Sequence, residues 1–281
     1  ILDNALTIGQ ELKHDKKVII NSKKQEKQTR MKIMSFYFKY FGMMFPRLAA
    51  KNAFNIFSTP KRRKIGKKTK NIIEKADTSF IQYKGKSVML YNWETERNEK
   101  IAFIMHGWGS MTTDFYKIIV ELNSKGYSVL SFDAPSHGMS TGRKTNVNEF
   151  KEVFKLVLNK SEVSIIDVFI GHSLGGLVPI LALNDDGFSV KINKMILLAT
   201  PSSISEIING FKNMLSLPQK SLFFLKKLIE EKIKYSIDEI DKKILIKPPN
   251  VSSFHLIYDE SDKVVLYKEG VKLSKKWKVP I

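Results

Sequence analysis

The stretch "SIIDVFIGHSLGGLVPILAL", residues 164–183, decides the fold. Its first part is apolar and β-branched, as a buried strand would be. Its last part, "LGGLVPILAL", reads as a buried helix. Between them stands Gly171-His172-Ser173-Leu174-Gly175. A strand-to-helix turn this tight admits only small residues two positions either side of the serine, and it lifts the hydroxyl above the sheet. A serine hydroxyl becomes a good nucleophile only when a base takes its proton. The segment therefore predicts a strand, an elbow and a helix, with Ser173 as candidate nucleophile. The competing reading is a structural glycine-rich turn.

The flanking sequence repeats the alternation. "TSFIQYKGKSVMLYNW" reads as a β-hairpin turning at Lys84-Gly85-Lys86, and "IAFIM" (101–105) as a buried strand. "TDFYKIIVELNSKG" is a helix ending at Gly126, "YSVLSF" a strand and "NVNEFKEVFKLVLNK" a helix; "KMILLAT" is the strand after the elbow helix. Apolar strands alternating with helices predict a doubly wound, mostly parallel sheet covered on both faces. Its site should lie beyond the carboxyl ends of the strands. Residues 203–250 interrupt the alternation with a long, mostly helical insertion rich in Phe, Leu and Lys. The pattern returns with "SSFHLIYD", the helix "VLYKEGVKLSKKW" and a last strand expected to begin at "KVPI".

Composition narrows the function classes. A chain of 281 residues suffices for one large domain or two small ones, and its 43% hydrophobic content fits a globular protein. There is no cysteine, which excludes disulfides and thiolate metal sites. The net charge is +19, but residues 1–75 hold 19 Lys/Arg against 5 Asp/Glu, so most of the excess sits in that quarter. The run "PKRRKIGKKTK" (60–70) has the charge to meet nucleic acid or an anionic membrane. With Lys outnumbering Arg 41 to 6, it reads instead as a solvated linker, and no nucleic-acid partner is expected.

Residues 1–30 are polar and lack apolar periodicity. Translation is expected to start at Met31, leaving 1–30 as a disordered or marginally helical extension. Residues 31–75 form a basic, apolar helical segment. Lys39, Arg47 and Lys51 break it below the ~18 apolar residues of a membrane span, and Lys39 also argues against a signal peptide. An amphipathic helix packed on the domain, or resting on a membrane surface, is expected. The location is read as cytoplasmic, with peripheral membrane contact allowed. Oligomeric state is open.

The remaining chemistry-bearing motifs follow strands. "MHGWG" (105–109) ends the strand at 101–105. Acyl transfer needs donors aimed at the developing oxyanion. The backbone N–H groups of Trp108 and Leu174 are the candidates, and the Trp108 ring is a candidate wall of the acyl pocket. His106 is read as a loop brace. "FDAPSHGMS" (132–140) makes a rigid loop in which His137 either approaches the site or braces it. "YDESDKVV" (258–265) offers two acids, Asp259 and Asp262, to orient a histidine, and its spacing to Val265 favours Asp262.

Taken in order, HGWG, D-x-P-x-H-G-x-S, G-H-S-L-G-G and D-x-x-D-x-x-V resemble the α/β-hydrolase superfamily, over about residues 44–281. "FPRLAAKNAFNIFSTPKRRK" (45–64) resembles a bacterial branch of it with an apolar N-terminal segment and a helical cap. The resemblance implies that 76–202 and 251–281 form the core and 203–250 the cap. It makes Phe211, Leu215, Leu217, Phe223 and Phe224 candidates to line an acyl pocket, beside His106 and His137; plain packing of the cap is the other reading. A serine at the elbow implies an acyl-enzyme, hence ester or thioester substrates and no cofactor or metal.

The same resemblance implies a triad in the order Ser, Asp, His, with the histidine just after the last strand. The histidines here are His14, His106, His137, His172 and His255, and none follows Asp262. His172 adjoins the serine on a turn expected to point the two side chains apart, and His255 should be buried in its strand. The chain is therefore read as truncated, with the base expected roughly 10–15 residues beyond Ile281. The functional expectation is a serine esterase or thioesterase. A non-catalytic ligand-binding or scaffold protein and a membrane-surface lipid hydrolase are the other two readings.

Overall fold

The computed structural model describes residues 25–281 except 27, 64 and 96–99, so most of the 1–30 extension, His14 included, lies outside the described residues. The chain enters through helix α1 (28–44) and helices α2 (Pro46–Phe57) and α3 (Lys67–Ile73). Strands β1 (Asp77–Tyr83) and β2 (Lys86–Trp93) form the hairpin. Lys84 and Gly85 both take positive φ there, the geometry of a two-residue turn that matches strand twist.

β3 (Lys100–Met105), α4 (Tyr116–Ser124), β4 (Tyr127–Phe132), α5 (Val147–Lys160), β5 (Ile165–His172), α6 (Leu174–Leu183) and β6 (Lys191–Leu198) then alternate. Helices α7 (Ile204–Leu215), α8 (Gln219–Ile233) and α9 (Ile237–Leu245) occupy the insertion, and β7 (Val251–Ile257) and α10 (Tyr267–Trp277) complete the order.

The seven strands form one sheet in the order β1-β2-β4-β3-β5-β6-β7, antiparallel at β1–β2 and β2–β4 and parallel elsewhere. This is the α/β-hydrolase fold. Alternate residues of one strand serve opposite faces: Phe103 and Met105 pack into the cluster that holds α5 and α6, while Ala102 and Ile104 meet Ile119 of α4 on the other side. The chain leaves β3 toward β4 and leaves β5 toward β6. β3 and β5 are neighbours whose connections run in opposite directions, so their carboxyl ends open a crevice.

Two expectations at the C-terminal end are corrected. His255 is exposed, because β7 is the edge strand and only its Phe254–Leu256 face is covered. "KVPI" does not start a strand. Lys278 turns left-handed (φ 55°) and Val279 is tied back to the end of α10, donating its N–H to Ser274 O (3.1 Å) and accepting from Ser274 Oγ (2.6 Å). Pro280 then has no N–H to offer a ladder.

The N-terminal helices lie on the insertion. Phe38, Ala49, Ala50 and Ala53 are buried in the main core cluster. Gly42 sits so close to α8 that a Cβ there would come within 2.8 Å of Pro218 Cδ, and its carbonyl accepts from Ser221 Oγ (3.0 Å). Among the described residues no helix is long and apolar enough to cross a membrane.

Candidate active site

The elbow is built by close approach. Gly171 closes β5, and Ser173 takes φ 51°, ψ −124°, a conformation that costs a side-chain-bearing residue ~1–3 kcal/mol. Its N–H is anchored to Leu198 O of β6 (2.8 Å). A Cβ on Gly175 would lie 2.4 Å from the carbonyl oxygens of both Met105 and His106, so only glycine lets α6 start this near the end of β3. Gly107 lies equally near: a Cβ there would be 3.0 Å from Ser173 Cβ and 3.2 Å from His172 Nδ1. The turn after β3 thus runs directly beside the serine.

That proximity decides what the two candidate donors can do. Among the described residues neither Trp108 N–H nor Leu174 N–H has an acceptor, whereas the neighbouring Gly109 and Ser110 N–H groups are both bonded. Unpaired backbone donors in a partly buried turn are uncommon. The Trp108 ring stacks on Phe150 (6.4 Å between centroids) and stands edge-on to His137, leaving it partly exposed.

His106 and His137 are both buried braces. His106 donates from Nδ1 to Gly107 O (2.8 Å) and accepts at Nε2 from Ala134 N–H (2.9 Å). His137 donates from Nδ1 to Pro135 O (3.1 Å) and accepts at Nε2 from Gly109 N–H (3.0 Å). Each ring has both nitrogens committed in its neutral form. Burial pushes His106 below the ordinary imidazole range, and burial together with the adjacent His106 ring pushes His137 down to about 3.

This has a testable consequence. Below about pH 6.5 the unfolded chain protonates both imidazoles more readily than the folded chain does, so stability is present above that pH and falls as pH drops. The slope is about 1.4 kcal/mol per pH unit for His137, and the lowered His106 adds to it in the same direction. Urea midpoints measured between about pH 6.5 and 4.5 should fall more steeply for the native sequence than for His137→Asn. Equal slopes would refute the assignment.

Asp133, at the head of the D-x-P-x-H-G-x-S motif, had no role assigned from sequence, yet it organises the loops. Its buried carboxylate accepts from Tyr91 Oη, Thr112 N–H and Met139 N–H, each at 2.8 Å. Gly138 takes φ 44°, and a Cβ there would fall 2.0 Å from Asp133 Oδ2, which fixes glycine in the motif. Two cations of the basic run clamp the same loops. Arg62 donates to Ser140 O (2.5 Å) and Gly142 O (3.2 Å), and Arg63 pairs with Asp114 (2.5 Å). They are hydrogen-bonded struts rather than a solvated linker.

Asp262 and Asp259 differ in how their carboxylates are held. Asp262 Oδ1 accepts from Val264 N–H (2.7 Å) and Val265 N–H (3.2 Å), which fixes the carboxyl, while among the described residues Oδ2 accepts nothing. The Asp259 carboxylate is fully exposed and held only by Ser261. Burial depresses the pKa of His172, and the charges of Asp262 and Asp114 oppose this, so Asp262 lies within electrostatic reach of the residue before Ser173.

The apolar candidates of the insertion are occupied with the N-terminal helices and the core. Phe211 meets the Phe57 ring edge-on (5.1 Å), Arg47 lies over Phe224 (5.1 Å), Leu215 and Leu217 are buried, and Phe223 is half exposed. A cleft of about 360 Å³ opens at the opposite end of the sheet, between β2 and α5. Its lining, which includes Asp77, Asn92 and Ser161, contains no elbow residue and no group placed for chemistry. Among the described residues no His/Asp/Glu cluster could hold a metal ion.

The family model described as "Serine aminopeptidase, S33" matches residues 96–269. The chain belongs to that family. The S33 match spans β3 to α10 and so includes His106, Trp108, His137, Ser173 and Asp262. Among curated proteins, the chain is 28% identical over 131 residues to phospholipase YtpA of Bacillus subtilis, covering 40% of this chain and 50% of that protein. It is 32% identical over 92 residues to the monoglyceride lipase homolog of monkeypox virus, covering 31% and 33%.

The chain thus spans about half the length, or less, of the curated relatives it matches. Among solved structures it resembles a Pyrococcus furiosus esterase (22% identity, TM-score 0.53, 79% of this chain and 83% of that one). It also resembles mouse alpha/beta hydrolase domain-containing protein 10 (16%, TM-score 0.55, 73% and 86%). At these identities the structures speak for the fold. The family match places the chain among the S33 proteins, and the relatives it resembles carry the names of a phospholipase and a lipase homolog.

Proposed function

We propose that the chain is a serine hydrolase that cleaves carboxylic esters or thioesters through an acyl-enzyme on Ser173. The observation that carries this reading is the positive-φ serine set beside two backbone N–H groups without acceptors, those of Trp108 and Leu174. Ser173 Oγ adds to the substrate carbonyl as a base removes its proton, and the oxyanion takes both N–H bonds. The base then protonates the leaving alcohol or thiol. Water, activated by the same base, releases the acid and restores Ser173.

Asp262 Oδ2, free of other partners, would accept the imidazole N–H and stabilise the imidazolium. Neither His106 nor His137 has a free nitrogen for Ser173, and His255 is exposed on the edge strand. The base in this reading is a histidine other than these three. The names of the relatives, a phospholipase and a monoglyceride lipase homolog, favour lipid acyl esters over other esters.

A fluorophosphonate probe tests this. Full-length protein should carry the adduct on Ser173 after peptide mapping, and a panel of acyl esters should compete with labelling. A folded full-length protein that takes no adduct would instead support a non-catalytic ligand-binding role.

A further inference from the structure

Helix α1 has two apolar faces. Met31, Met34, Ser35, Phe38, Phe41 and Gly42 form the buried or half-buried stripe laid on the insertion, with Ser35 Oγ bonded to Ser216 Oγ (2.6 Å). At 3.6 residues per turn, Ile33, Phe36, Tyr40, Met43 and Met44 lie about 160° round the helix from that stripe. They are 47–73% exposed. A soluble helix ordinarily pairs one apolar face with one polar face. Here the second face is aromatic and methionine-rich, and the first holds the helix so that it cannot roll to hide the second.

The charge around this face identifies what meets it. From residue 28 to residue 73 there are 12 Lys/Arg and no Asp or Glu. Lys32 and Lys39 flank the outer stripe on α1, and Arg47 and Lys51 follow on α2. A second copy of this chain would set the same cations against themselves, since a two-fold interface is self-complementary in shape but not in charge. An anionic bilayer supplies both partners at once: negative headgroups for the lysines, and a hydrocarbon boundary for the rings and thioethers.

We infer that the outer face of α1 is a docking surface for anionic lipid bilayers, lying in the interface plane with Ile33, Phe36, Tyr40, Met43 and Met44 inserted and Lys32 and Lys39 at the headgroups. Docking of α1 on the insertion and docking on a membrane are then not alternatives, because opposite faces of one helix perform them. The binding does not depend on chemistry at Ser173, so it can fail or succeed independently of the hydrolase reading.

The test is co-sedimentation of the full chain with vesicles of phosphatidylcholine, alone or mixed with phosphatidylglycerol, at low and raised salt. The native sequence should pellet with the mixed vesicles, more weakly with phosphatidylcholine alone, and less as salt rises. A Phe36→Ser/Tyr40→Ser/Met44→Ser variant, altered only at exposed positions, should partition ~10–100-fold more weakly while keeping the native circular dichroism and melting temperature. Lys32→Gln/Lys39→Gln should remove most of the salt dependence.

The inference is overturned if the native protein stays in the supernatant with the mixed vesicles, or if the folded triple variant pellets as well as the native protein. It is also overturned if the native protein is a dimer that the triple variant converts to monomer, which would give the face to a second copy.

Discussion

Ser173→Ala in the full-length protein should lower turnover of a p-nitrophenyl ester about a millionfold, leaving the small residual rate that oxyanion donors and binding give alone. The magnitude follows from the loss of the covalent route: without Oγ there is no acyl-enzyme and no pre-steady-state burst. The substitution is nearly neutral for folding apart from the elbow's strain, because among the described residues Ser173 Oγ makes no hydrogen bond. The variant should therefore melt at or slightly below the native temperature. A folded Ser173→Ala protein with near-native turnover would end the nucleophile assignment.

Asp262→Asn should come second, at about 10⁴-fold in kcat, the loss expected when the triad carboxylate no longer fixes the imidazole tautomer. Asn retains an oxygen to accept from Val264 and Val265 N–H, so the loop can persist and the loss reports on the free Oδ2. Asp259→Asn should change kcat within a few-fold, since the Asp259 carboxylate is fully exposed and bonds only Ser261. A reversed order would move the acid to Asp259.

What could be read in the sequence was local. The elbow, the Lys84-Gly85 hairpin and the strand–helix alternation each declare themselves within a window of a dozen residues, because turn sterics and side-chain period act over that range. Asp133 escaped assignment because two of its three partners, Tyr91 and Thr112, are 42 and 21 residues away. Arg62 and Arg63 read as charge because their acceptors lie 78 and 51 residues on.

His255 was misplaced for another reason. "SSFHLIYD" carries the marks of a strand, but whether a strand is central or at an edge depends on sheet order, which no local pattern encodes. "KVPI" failed on a single residue: Ser274, through its carbonyl and its hydroxyl, takes both backbone groups of Val279 that a ladder would need.

The insertion between β6 and β7 behaves mechanically as a beam clamped at both ends. At its start Glu269 accepts from Ser202 N–H and Oγ, and Asp241 accepts from Ile204 N–H (2.6 Å). At its finish Asn184 Nδ2 donates to Lys243 O and Ile246 O, and Lys243 joins Lys151 and Lys155 around Asp185. Burial alone would raise the Asp185 pKa, but the three ammonium groups outweigh it and hold the carboxyl below its ordinary range, so the clamp stays charged through neutral and mildly acidic conditions.

Such a beam flexes where its own hydrogen bonding is interrupted. There are two such points: the joint between α7 and α8, where Ser216 turns left-handed (φ 52°) ahead of Pro218, and the joint between α8 and α9, where Lys234 does so (φ 65°). Ser35 and Gly42 of α1 hold the first of these from outside. Of the two bends in the span, α1 therefore braces only the first, and the second is left to the insertion's own caps.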